Sequence, residues 1–200
     1  MRNVIVIIGM LLLNIGVLCA QPTIQNNERW DAKDYLFSNY TYGFGWRLPH
    51  NIKWTREQGA EKHTVFRAVG GPFLVFVNAQ EVPYNDVDFW SVLPTITESA
   101  NELDMITKQL SGKIVYGRTW EKCILFGQHA IKTTFLEYFK DSRFDEPIET
   151  YAEEYMMIYN GYMLIVAIKT NKEVYDNYNY KPYFKQIFQG FSINASCYTN

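Results

Sequence analysis

Three histidines, two cysteines beyond the extreme N-terminus and a scatter of carboxylates are the residues able to do chemistry. His50, His63 and His129 lie far apart in the sequence. A zinc site needs several nitrogen or sulfur ligands converging on one point, and neither HExxH nor CxxC occurs. A cysteine nucleophile would need a histidine beside it in space. Cys123 and His129 fall on neighbouring predicted strands, so that pairing is open; the plainer reading makes Cys123 a core or bridged residue. Asn85, Asp86 and Asp88, or Asp141, Asp145 and Glu146, carry oxygens suited to calcium. Neither group has the spacing of an EF-hand loop, and solvated loop charges explain both. The chain has no GxSxG elbow, phosphate-cradling loop or dinucleotide fingerprint. We therefore expect no catalytic residues, no metal ligands and no cofactor.

The remaining pattern suits contact better than catalysis. Aromatic residues make up 16% of the chain, and Tyr175, Tyr178, Tyr180 and Tyr183 crowd one short stretch beside Asn177 and Asn179. Tyrosine offers flat surfaces of low conformational entropy for proteins or sugars. This stretch is the expected contact surface, set against the plainer reading that it packs a sheet face. The acidic loop from Asp141 to Glu149 is a second candidate.

The N-terminus carries an address. Arg2 precedes an apolar run from Val4 to Val17, and Leu18-Cys19-Ala20 leads into polar Gln21-Pro22. A basic start, a short apolar run and a small residue before a polar stretch form a secretory signal peptide. The run is shorter than the ~20 residues of a spanning helix. Cleavage after Ala20 predicts an exported protein, periplasmic or secreted. The rival is a lipoprotein anchored at Cys19, disfavoured because bulky Leu18 stands where a small residue is required; only that route would bring the chain to a membrane. In an oxidising compartment a Cys123–Cys197 disulfide becomes reasonable, worth about 4 kcal/mol on the chain-entropy model. Two unlinked thiols are the alternative.

Those residues need a scaffold. About 180 residues remain after processing, enough for one self-sufficient core. Net charge is −2, with no basic block, which excludes nucleic acid as an obvious partner. Residues 21–39 read as a loose N-terminal arm with a short helix around Trp30 to Phe37, and residues 40–200 as a single domain. Tyr40, Tyr42, Phe44, Trp46 and Leu48 alternate with smaller or polar residues, the period of a half-buried strand, stopped by Pro49. His63 to Val69 and Pro72 to Gln80 flank Gly70-Gly71 as a hairpin. After a break at Pro83, Asp86 to Leu93 forms a turn or two. Pro94 then interrupts; Thr95 and Glu98 have the spacing of a capping box, opening a helix that Gly112 ends. Ile114 to Tyr116, Lys122 to Phe126 and Ala130 to Phe139 are strands broken at Gly117 and Gly127-Gln128. Tyr151 to Tyr159 and Tyr162 to Lys169 flank Asn160-Gly161, a strong hairpin signal. A helix over Pro182 to Gln189 and a strand over Phe191 to Ile193 close the chain. The expected class is α+β, a mostly antiparallel sheet packed by helices.

Tyr42-Gly43-Phe44-Gly45-Trp46-Arg47-Leu48-Pro49 with Trp54 resembles the opening of PsbP-like domains. Ile124-Leu125-Phe126-Gly127-Gln128-His129-Ala130 resembles the turn between that family's central strands. Gly161 to Val166 matches its late strand, and Phe184 to Ile193 its closing helix and strand. The resemblance spans roughly Tyr40 to Ile193. It implies an antiparallel sheet between helices and a binding or assembly role, and it transfers no site residue. The expected function is an exported, non-enzymatic binding or assembly module for another envelope or secreted protein. The alternative is a carbohydrate-binding protein or glycan hydrolase with an aromatic-lined site and two carboxylates.

Overall fold

The computed structural model describes residues 27–57, 63–82, 88–140, 147–177 and 179–193. Eleven strands form two antiparallel sheets among these residues. The smaller has the order β1-β2-β3-β11 and the larger β4-β5-β6-β10-β9-β8-β7. The strands are β1 (Glu28–Asp31), β2 (Leu36–Asn39), β3 (Phe44–Arg47), β4 (Trp54–Arg56), β5 (Thr64–Gly70) and β6 (Phe73–Glu81). After a 3-10 turn (Phe89–Val92) and helix α1 (Leu93–Ser111) come β7 (Ile114–Leu125), β8 (Gln128–Phe139), β9 (Ile148–Tyr159) and β10 (Tyr162–Asn171). Helices α2 (Lys172–Asn177) and α3 (Lys181–Gln189) and strand β11 (Phe191–Ile193) complete the chain. This is the α+β, mostly antiparallel architecture that hydrophobic periodicity predicted.

The large sheet has an inner face toward the small sheet and an outer face toward α1. Period-two alternation sends Phe73, Val75, Val77 and Ala79 of β6 inward, with Leu164, Val166 and Ile168 of β10. They meet Phe37, Phe44, Trp46 and Phe191 of the small sheet and Phe184 and Ile187 of α3 in one core. The Trp46 indole N–H is satisfied inside it by the Ile187 carbonyl at 2.8 Å. A second, smaller cluster lies on the outer face. There Phe89 of the 3-10 turn and Ile96 of α1 pack on Ile131, Met156, Met163 and Ile165.

Three local expectations change. The described part of the supposed arm, from Asn27, is a β1–β2 hairpin and not a loose segment with a helix. Asp31 accepts the Lys33 and Asp34 amides, an Asx turn that folds the chain back. Phe37 then stacks on Phe66 at 4.3 Å and is fully buried. The capping box does not form: α1 starts three residues earlier, with Pro94 in its first turn and Val92 instead of Thr95 at the N-cap, where proline's missing N–H costs nothing. The break at Gly117 is a bulge within one continuous strand: Tyr116 pairs with Leu136, and Thr119 with Thr134. The Asn160-Gly161 hairpin is as expected, both residues having positive φ.

Candidate binding face

The tyrosine stretch divides. Helix α2 turns Tyr175 inward, where it stacks on Tyr151 at 3.9 Å and meets the Phe184 ring edge-on. It is buried, and desolvation pushes its phenol well above the usual range. Tyr180 and Tyr183 are half-buried against Phe73. Tyr178 lies outside the described residues, as do Asp141, Asp145, Glu146, Asn85 and Asp86.

The cysteine and histidine readings resolve by register. Cys123 opposes Ala130, and Ile124 opposes His129. Cys123 therefore sits on the inner face and His129 on the outer, and a thiol–imidazole couple is excluded. Cys123 is a free thiol, its pKa raised by burial; Cys197 lies outside the described residues. His50 packs near Tyr35. Among the described residues no three His, Cys, Asp or Glu side chains gather as metal ligands. Asp88, weighed as a calcium ligand, is instead bonded to His129, its Oδ1 lying 2.8 Å from Nδ1.

Sequence reasoning missed a charged network on the outer face. Glu137 of β8 is nearly buried, and Lys169 of β10 donates to both its oxygens at 3.0 Å. Lys113, just before β7, reaches it at 2.6 Å, and the Thr150 hydroxyl donates at 3.2 Å. Burial alone would raise this carboxyl's pKa; the two ammonium groups reverse that and lower it to about 2. Beside it, Arg118 donates to both oxygens of Asp104 on α1 at 3.0–3.2 Å and lies 4.1 Å over the Phe135 ring. The bulge at Gly117, with φ 63°, precedes Arg118 directly; such bulges re-aim a side chain. Burial outweighs Arg118 at Asp104, whose pKa is raised.

Glu154 of β9 is the counterpart to Glu137. Desolvation raises its pKa despite the attraction of Lys169 and Arg118. It pairs across the ladder with Thr133, which is fully buried and whose hydroxyl has no hydrogen-bond partner. Two carboxyls with opposed shifts can mark an acid–base pair. Here, though, Lys113, Lys169 and Thr150 occupy both Glu137 oxygens, leaving neither to activate water or attack a sugar. The network's chemistry is charge pairing, and it ties α1 to the sheet.

Helical cover does not extend evenly across this face. Val69 of β5 and Leu74 and Phe76 of β6 point outward and are half-exposed, while their inward neighbours are buried. Thr55 of β4 continues the strip and is exposed. Lys169 borders it, its ammonium 5.5 Å from the Phe76 ring centre. The result is a strip of mixed apolar and polar character beside a rigid ion network. It had no sequence signal beyond alternation, because half-exposure on one face depends on what packs there.

No family model matches the chain, and a search of curated proteins finds no match. Comparison with solved structures does find matches. Cyanobacterial PsbP from Synechocystis is 14% identical, aligns over 89% of this chain and 99% of that one, and superposes with a TM-score of 0.53. LpqN, involved in cell envelope biogenesis of Mycobacterium tuberculosis, is 12% identical over 76% of this chain and 83% of its own, with a TM-score of 0.47. The Ran-binding protein Mog1p of Saccharomyces cerevisiae is 10% identical over 86% and 97%, with a TM-score of 0.45. The PsbP likeness shows a shared fold, the one that the sequence motifs resembled.

Proposed function

We propose that this chain is an exported, non-enzymatic binding or assembly module that receives a protein partner on the outer face of its large sheet. One observation carries the reading. Over β5, β6 and β10 the inner face is buried beneath the small sheet and α3, whereas Val69, Leu74 and Phe76 remain half-exposed on the outer face beside the Lys169–Glu137 network. A surface of fixed charges bordering apolar side chains suits a protein partner: the apolar residues supply buried area and the charges fix orientation. The glycan hydrolase alternative loses support from the occupied Glu137 oxygens. Tyr180 and Tyr183 stand as a second contact surface.

Site-specific photocrosslinkers at Leu74 and Phe76, in the full chain expressed in its own host, test the placement. The expected product joins the chain to one envelope or secreted protein, with a control at exposed Glu173 unlinked. Folded protein that yields no adduct at either strip position would overturn the placement. Adducts at Tyr183 alone would move the contact to the tyrosine surface. Export stands on Arg2, the apolar run and Ala20. A mature N-terminus at Gln21 by mass spectrometry is expected; a lipidated Cys19 would make the protein membrane-tethered, and an intact Met1 would remove export.

A further inference from the structure

We infer that the free edge of β7 is a self-pairing surface, through which two copies of this chain join their large sheets into one continuous antiparallel sheet. The edges of the two sheets are formed by β1, β11, β4 and β7. The first three of these strands have only three or four residues, and shortness is one way that proteins blunt an edge against pairing. Strand β7 has 12 residues, and among the described residues no strand pairs with its far side. The bulge between Tyr116 and Thr119 interrupts its first part. Beyond the bulge, Thr119 to Leu125 runs in unbroken register with β8 and contains neither glycine nor proline. The backbone groups along its far side are a template for another strand. Ile124, near the end of this segment, is 65% exposed.

Charge selects a second copy and fixes its register. A closed pair of copies is related by a two-fold axis, and for antiparallel edges that axis stands perpendicular to the sheet. Directly opposite residues share a face, so the axis passes beside one residue, which then meets its own copy. Centring on Glu121 or on Lys122 opposes like charges, which destabilises a strand pair. Centring on Trp120 sets Lys122 against Arg118 of the other copy, again like charges. Centring on Thr119 runs onto the bulge, and centring on Ile124 runs into the Phe126-Gly127 turn, where both residues have positive φ. Cys123 is the remaining centre. It is a free, uncharged thiol, and around it Lys122 opposes Ile124 and Glu121 opposes Leu125, each twice by symmetry. The aliphatic stem of Lys122 then covers the exposed Ile124 while its ammonium group stays in water. The pairing leaves the half-exposed strip on β5 and β6 uncovered, because β7 is at the opposite edge of the sheet, so it stands whether or not that strip binds a partner.

Sedimentation velocity of the protein purified from its own host, in reductant, tests the pairing from low micromolar to near-millimolar concentration. A strand-edge contact buries less than a standard protein interface, so the apparent mass should double as concentration rises. Ile124→Lys sets a second ammonium group opposite Lys122 in both halves of the pair and should abolish that doubling. Adding Lys122→Glu to the same variant restores opposite charges and should bring the doubling back. Both side chains are exposed, and thermal melts of the two variants should match the wild-type protein. A wild-type protein that stays monomeric throughout overturns the inference, as does association that Ile124→Lys leaves intact. A double variant that folds and stays monomeric overturns it as well.

Discussion

At the level of single residues, the outer face holds two glutamates with opposite demands. Glu137 is depressed to about 2 from an ordinary 4.5, so its contribution is present above pH 4.5 and disappears as pH falls through 2. On linkage that shift amounts to roughly 3 kcal/mol. Glu137→Gln should therefore lower Tm at pH 7 and converge on the wild-type protein near pH 2, measured by thermal melts across that range. Glu154 behaves the other way. Its raised pKa means ionisation costs stability, a cost absent below pH 4.5 and complete once pH exceeds the folded value. Glu154→Gln should raise Tm at pH 7, with the gain fading in acid; a lower Tm at pH 7 would refute that assignment. Neither role was legible in the sequence. Glu153-Glu154 reads as an ordinary acidic pair, and only ladder register separates a residue facing Lys132 from one facing the buried network.

Among the elements, strands were the most legible, because alternation in β6 and β10 and the Asn160-Gly161 turn state their own geometry. Helix α1 was legible by its spacing, but its start was not: Thr95 and Glu98 offered a cap that Pro94 pre-empted. The β1–β2 hairpin was missed outright. Trp30, Tyr35 and Phe37 fit no clean period, and their burial depends on Phe66 from a distant strand. Phe37→Ala should cost roughly 3–5 kcal/mol in urea denaturation, whereas a loose arm would lose almost nothing. The junction of α3 and β11 makes a sharper case. A Cβ on Gly190 would sit 1.8 Å from the Arg47 carbonyl oxygen, and the Gly190 carbonyl accepts the Arg47 amide at 2.9 Å. Gly190→Ala should destabilise by about 1–3 kcal/mol or more, separating β11 from β3 first, as hydrogen exchange at Phe44 to Arg47 would reveal.

For the molecule as a whole, the candidate site follows from unequal covering of one sheet, which is why local patterns showed the fold and not the half-exposed strip. Alternation says which residues share a face; it does not say where the covering helix stops. The small sheet carries a different implication. Its four strands come from the two ends of the described chain, β1 to β3 from one and β11 from the other. The bond from Trp46 to Ile187 spans 141 residues. Loop-closure entropy makes such pairings late and slow. During synthesis, β3 cannot gain its last neighbour until the chain has been made through Ile193. The aromatic core beneath it therefore closes only after every strand of the large sheet has been made, so the order of synthesis sets the earliest moment at which the fold can lock.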